Sequence, residues 1–217
     1  YYMYLAAGKD VDDVVDKLVE PLVEKGFISN YWVRETGDIQ YNGVRLIRLM
    51  EAIVRDVNGK CIPEFMFREN DENIALFLNG IFSADGSVSR SGTWPIIQLS
   101  ITSERIAKGV GRLLNIIGIA NSVWMEKKPN SYKGKVSKTH TWHVVVKDVA
   151  KFSRMVGFFI DRKNDKCDSD YEKTKGIDEK YGFVINRVVS VEPIVYDDYV
   201  YDLCVEKTHR YFANNIL

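Results

Sequence analysis

The sequence predicts an α+β fold made of two similar subdomains followed by a short β-rich segment. Three observations carry this. An internal repeat recurs at a fixed offset. Within each copy the apolar positions switch from helical spacing to strand alternation. Beyond residue 182, short alternating runs are separated by turn residues. The repeat is ungapped: residues 14–33 (VVDKLVEPLVEKGFISNYWV) align with residues 106–125 (IAKGVGRLLNIIGIANSVWM) at an offset of 92. Leu22 meets Leu114, Gly26 meets Gly118 and Trp32 meets Trp124. Each copy reads as a helix, a glycine that stops it in the left-handed conformation, and a strand.

The elements follow in order. Residues 2–7 alternate as a strand, the repeat helix comes next, and residues 32–35 turn through Gly37 and Asp38 into a second strand at 39–44. An apolar-periodic helix over 46–57 closes the first unit, assigned to residues 1–59. The second unit, residues 60–160, opens with an apolar helix over 73–86 that has no counterpart in the first. Strands at 87–91, 95–101, 123–127 and 139–145 follow, with the repeat helix between the second and third, and a last helix spans 149–159. Residues 161–182 are charged and turn-rich, which predicts a solvated linker, and 183–217 alternate as short strands.

The 30 basic and 30 acidic residues cancel, but not evenly along the chain. Residues 87–147 carry ten bases and two acids. Lysine and arginine interleaved with Trp94, Tyr132, His140, Trp142 and His143 suit a surface that tracks phosphates and releases counterions. A merely solvated lysine loop at 127–138 is the alternative. Three widely spaced cysteines, Cys61, Cys167 and Cys204, form no disulfide framework or zinc motif. No apolar run is long enough to span a membrane and no signal pattern opens the chain, so no membrane partner and a cytoplasmic, intracellular location are expected.

The helix over 73–86 ends in the run LFLNGIFSADG, residues 76–86. Gly80 and Ala84 lie four apart on one face, where a second helix backbone can approach closely, and Asp85 stands at the end of that face. This run resembles the dodecapeptide motif of LAGLIDADG homing endonucleases of the kind found in inteins. Lys60, Cys61, Ile62 and Pro63 resemble the Lys-x-Ile-Pro block that precedes the second such motif, and residues 103–118 resemble the leucine-rich block that follows it. Residues 200–217 are similar to the penultimate splicing block of inteins, particularly those inserted in DNA polymerases.

The resemblance implies two pseudo-symmetric LAGLIDADG subdomains, the first incomplete, with antiparallel sheets forming a saddle and helices on one face, followed by strands of a Hedgehog/intein splicing domain. It implies metal-dependent hydrolysis of double-stranded DNA. Asp85 would be the catalytic metal ligand for Mg2+, Lys60 a catalytic basic residue near the reacting phosphate, and Gly80 and Ala84 the helix-packing surface. Lys163 or Lys166 is a candidate counterpart of Lys60 in the second subdomain. Arg90, Gln98, Lys127, Lys128, Lys133, Lys135, Lys138, His140 and His143 are the candidate DNA contacts, while Trp94, Trp124 and Trp142 are expected to pack against helices. Asp202 and His209 match the splicing block.

Departures from the family pattern shape the expectation. The second acid of the catalytic pair, the N-terminal splicing blocks and the final His-Asn are not in the sequence, so the chain is expected to need an N-terminal intein segment as partner. It could be one fragment of a split intein acting in splicing, or a DNA-binding module that has lost cleavage.

Overall fold

The structure, a computed structural model, describes residues 2–56, 59–91, 94–127, 131–132, 135–136, 139–167, 177–178 and 183–184, with single positions 191, 193, 195 and 197–199. Two compact units divide the chain, Tyr1–Thr174 and Lys175–Leu217. In the second unit the described pairing is antiparallel, Ile177–Asp178 with Phe183–Val184. The expected splicing strands, with Asp202 and His209, lie otherwise outside the described residues.

The first unit holds both subdomains. In the first, β1 (Met3–Ala6) leads into a helix, α1, made of Val11–Val14, a π-type turn at Val15–Val19, and Glu20–Glu24. Strands β2 (Asn30–Val33) and β3 (Asp38–Asn42) and helix α2 (Val44–Val54) follow. The sheet order is β1-β3-β2, all antiparallel. Alternation in β3 buries Ile39 and Tyr41, which meet Val14, Val19 and Ile28 in a small core. A two-residue hairpin, β4 (Arg55–Asp56) with β5 (Gly59–Lys60), ends this part.

The second subdomain begins with α3 (Asp71–Asp85). Asn70 caps it by accepting from Asn73 N at 2.8 Å, and Asp71 and Glu72 sit in the first turn, where the helix dipole favours acids. Strands β6 (Gly86–Ser91) and β7 (Trp94–Ile101) form a hairpin, and α4 (Glu104–Ile116) is capped by Ser103. Then come β8 (Asn121–Met125), the short pair β9 (Ser131–Tyr132) and β10 (Lys135–Val136), β11 (Trp142–Val146) and α5 (Val149–Met155). The sheet order is β6-β7-β11-β8. Apolar faces of α3, α4 and α5 cover one side of this sheet, with Ile74, Leu78, Phe82, Leu113, Leu114 and Phe152 at its centre. Phe82 and Phe152 meet edge-on at 4.9 Å.

The repeat is a structural one. Strands β1-β3-β2 and β7-β11-β8 occupy the same places in their sheets. Gly26 and Gly118 stop the two helices with φ of 72° and 69°, and in both the next residue donates back to the helix, Phe27 N to Leu22 O at 2.8 Å and Ile119 N to Leu114 O at 2.7 Å.

The stretch expected to begin a solvated linker differs. Residues 161–164 form a short helix, α6 (Asp161–Asn164), inside the first unit. Just before it, Phe158 enters the second core and Ile160 the first, so two residues of spacing tie the two cores together. Arg162 pairs with Asp10, and Lys17 bridges Asp13 and Asp161. The charges that suggested solvation are answered by charges on α1 and on the turn before it, which local composition does not reveal.

Candidate active site and nucleic-acid interface

Ile62 explains the placement of Lys60. It is buried against α4 at Gly109, where a Cβ would stand 2.6 Å from the Ile62 side chain, so only glycine admits this contact. Pro63 and Met66 are buried beside it. Lys60, two residues earlier, is thereby held at the mouth of an open cleft of about 650 Å³ that Asp85 also lines. Ser100, Ile101, Thr102, Ser103, Ile106 and Thr141 complete the wall. The two residues expected to act on a phosphate are 25 positions apart in sequence and share one cavity.

Asp85 is exposed at the last turn of α3, the negative end of the helix dipole, an unfavourable position for a carboxylate. Two features answer it. Gly86 lets the chain leave sharply into β6: a Cβ there would lie 2.4 Å from the Phe82 carbonyl oxygen. Lys163, which is buried, points its ammonium at the end of the helix and donates to Ser83 O at 2.6 Å and Gly86 O at 2.7 Å, with Phe82 O at 3.4 Å and Ala84 O at 3.3 Å. Burial pushes the Lys163 ammonium below the usual lysine range, and Arg162 adds to this, while Asp10 and Asp85 pull it back. Lys163 thus stands at the motif helix; Lys166, three residues on, is exposed.

The oxygen-rich wall around Asp85 suits a hard divalent cation, which takes carboxylate and hydroxyl or water oxygens. One carboxylate is not a complete site, and among the described residues no group of three or more His, Cys, Asp or Glu could hold a metal ion. Asp85 offers one carboxylate to such an ion.

The opposite side of α3 is open. Leu76 is 65% exposed, Ala84 is exposed, and a Cβ built on Gly80 would touch nothing within 4 Å. Its covered side is gripped by the strap at 156–159, with Asn79 donating to Val156 O at 2.8 Å and Ser83 Oγ accepting from Phe159 N at 2.9 Å. The small residues singled out for helix packing therefore form a free face among the described residues.

Alternation decides which side chains face away from the helices. In β7, Ile97 and Leu99 are buried, so Gln98 and Ser100 point to the other face, and register places His143 of β11 opposite Ser100 and Trp124 of β8 opposite His143. Gln98 Nε2 lies 2.8 Å from Ser100 Oγ and 2.9 Å from His143 Nδ1. The His143 ring lies against Trp124 with centroids 4.2 Å apart and planes tilted by 32°, and its Nε2 lies 3.7 Å from Glu126. His143 is consequently covered, its side chain 12% exposed, whereas Trp124 is 46% exposed. The expectation that Trp124 packs against helices is overturned: Val123 takes the inward position, so its neighbour must face out. Trp142 does pack against the second core.

Arg90 and Lys127 are exposed, Lys127 just beyond the end of β8. His140 Nδ1 lies 3.0 Å from the Glu126 carbonyl oxygen, a contact between the two ends of the basic loop. Lys135 belongs to β10, though its side chain is not described; Lys128, Lys133, Lys138 and the side chain of Trp94 are outside the described residues. Ser100, Thr102, Ser103 and Thr141 were not singled out in the sequence. The density of hydroxyls in residues 100–103 was the available signal. Their common wall with Asp85 arises only when β7 runs back beside the end of α3.

Comparison with known proteins gives a family for part of the chain. Residues 72–157 match the family described as LAGLIDADG-like domain. The whole chain is 40% identical over 221 residues to a DNA polymerase of Thermococcus hydrothermalis and 40% identical over 223 residues to a DNA polymerase of Thermococcus litoralis. It spans 13% of the length of each of these relatives. Among solved structures, I-DmoI in complex with DNA and Mn is similar with a TM-score of 0.49 at 13% identity, covering 71% of this chain and 78% of that one. No helix among the described residues is long and apolar enough to cross a membrane.

Proposed function

The chain belongs through residues 72–157 to the family of LAGLIDADG-like domains, and from that premise we propose that it is part of an intein homing endonuclease lodged in a DNA polymerase, cutting double-stranded DNA at a specific site. The observation that carries this reading is the shared cleft of Lys60 and Asp85 at the end of the motif helix. Asp85 would hold a divalent cation such as Mg2+, which when bound supplies positive charge beside the scissile phosphate. Lys60 places its ammonium on the same wall, where it neutralises charge developing on the phosphate oxygens. Lys163 holds the last turn of α3 and so fixes where the Asp85 carboxylate stands. Arg90, Lys127 and the lysines of the basic loop meet the DNA backbone, and the outward face of the sheet meets the base edges of the major groove.

The free face with Gly80 and Ala84 takes a second motif helix carrying the second acid, supplied by an N-terminal intein segment. A further reading, that residues 183–217 with Asp202 and His209 take part in protein splicing, is favoured by similarity to the polymerases along the entire chain. The test is cleavage of a plasmid carrying an uninterrupted polymerase gene, in Mg2+ and in EDTA, by this chain alone and together with a polypeptide that supplies a second motif helix. Metal-dependent cutting is expected only in the combined reaction. Asp85→Asn lowers it by about 100-fold or more while DNA binding persists. Undiminished cutting by Asp85→Asn, or equal cutting in EDTA, would overturn the nuclease reading.

A further inference from the structure

Gln98 sits at the centre of the outward face, and its amide is unusually constrained. Its Nε2 donates to Ser100 Oγ at 2.8 Å and lies 2.9 Å from His143 Nδ1. His143 Nδ1 also lies 3.0 Å from Ser100 Oγ. The three groups close a triangle whose orientation follows from its surroundings. Glu126 lies 3.7 Å from His143 Nε2, so in the neutral imidazole the proton is favoured on Nε2, facing the carboxylate, and Nδ1 is the acceptor. An acceptor at Nδ1 requires the NH₂ end of Gln98, not its oxygen, to face the ring. Trp124 packs against one side of the imidazole, centroid to centroid at 4.2 Å, which restricts the ring's rotation. Gln98 Oε1 is then the amide atom left over, with no hydrogen-bond partner among the described residues.

We propose that Gln98 is a specificity-determining residue that presents only a hydrogen-bond acceptor to DNA, selecting an exocyclic base amino group, adenine N6 or cytosine N4, in the major groove. Ser100 and His143 are the positioning residues that hold the amide in this sense. The inference rests on the DNA-recognition reading above and adds its chemistry at one position. A freely rotating glutamine pairs bidentately with adenine, giving a hydrogen to N7 and accepting from N6. With its NH₂ occupied, Gln98 keeps only the second of these, so cytosine becomes acceptable too. Guanine and thymine, which show only acceptors on their major-groove edges, are rejected because oxygen would face oxygen or nitrogen. Since each base pair carries one amino group in the major groove, Gln98 reads which strand bears it.

Selection of binders from a randomised duplex library tests this, using the full chain, Gln98→Ala and His143→Ala, each checked for an unchanged melting transition. The wild-type chain is expected to enrich a site in which one position holds adenine or cytosine on one strand. Gln98→Ala accepts all four bases there, a loss of discrimination of about 10-fold or more. His143→Ala frees the amide to turn, so guanine and thymine become tolerated at that same position while the rest of the site is unchanged. A restriction that survives Gln98→Ala, or a wild-type preference for guanine or thymine throughout the positions that Gln98→Ala alters, overturns this inference alone. If the wild-type chain enriches no sequence, the DNA-recognition reading fails and this inference fails with it.

Discussion

The two subdomains share a backbone plan and differ in what they show to the outside. Each sheet has the same strand order and each repeat helix ends at a glycine with φ near 70°. Both repeat tryptophans, Trp32 and Trp124, face outward and are about half exposed. Two residues beyond them the copies diverge in sign. Arg34 donates to Tyr4 Oη at 3.2 Å and Gln40 Oε1 at 2.9 Å in the first, whereas Glu126 approaches His143 in the second. The repeat thus preserves what the fold needs, apolar spacing and a helix stop, and leaves the outward face free to vary. The cores differ as well: the second is larger and includes the motif helix, and the first gathers around Ile39 and borrows Ile160 from beyond the second.

The comparison can be broken most forcefully in the cores. Phe82→Ala in the second subdomain is expected to cost about 3–5 kcal/mol and Ile39→Ala in the first about 2–5 kcal/mol, measured by denaturant unfolding. Because Phe158 and Ile160 join the cores, both variants should shift one shared transition. Two separate transitions would mean that the strap at 156–164 does not couple them.

Lys163→Met probes an interaction the first subdomain has no described equivalent for. Removing an ammonium that serves the carbonyls at the end of α3 is expected to destabilise by about 2–3 kcal/mol. An unfolding midpoint equal to wild type would remove Lys163 from the account of how Asp85 is positioned.

The shared feature of the copies gives a smaller and symmetric effect. Gly26→Ala and Gly118→Ala each place a side chain in the left-handed region and should each cost about 1 kcal/mol. A Cβ at Gly26 meets nothing, and one at Gly118 meets only the flexible end of Lys151. Costs that differ widely would show that the two stops are not equivalent.

The smallest effect concerns the charges between the subdomains. The hydrogen bond it accepts from Arg162 holds the Asp10 carboxyl below the usual carboxylate range, and the bond from Lys17 does the same for Asp13. A carboxylate whose pKa is lowered by folding adds stability that is fully present above its unfolded pKa and is lost as pH falls through the folded one. Melting temperature should therefore decline as pH drops below about 4, and Asp10→Asn should flatten that decline. An unaltered pH profile in Asp10→Asn would show the pair to be solvent-screened.

Much of this was legible in order along the chain. The repeat, its glycines and the helix ending in Asp85 could be read because helix and strand periodicities and left-handed stops are local properties of sequence. The motif and the Lys-x-Ile-Pro block gave Asp85 and Lys60. The outward position of Trp124 was not read, since an aromatic beside Val123 and Met125 fits either face until pairing with β11 sets the register. The fold of residues 161–164 was missed because their charges are satisfied by Asp10 and Asp13, about 150 residues away.

By itself the sequence determined the two-copy plan, the glycine stops of the repeat helices, and the candidate acid, basic and small-residue positions of the motif, because these depend on spacing and chemistry within one element. Only the tertiary structure decided that Lys60 and Asp85 share a cleft, that Lys163 closes the motif helix from 78 residues beyond Asp85, and that Gln98, Ser100 and His143 form one cluster. Those outcomes depend on strand register and on a strap between two cores, and the energies that fix them come from contacts between distant parts of the chain.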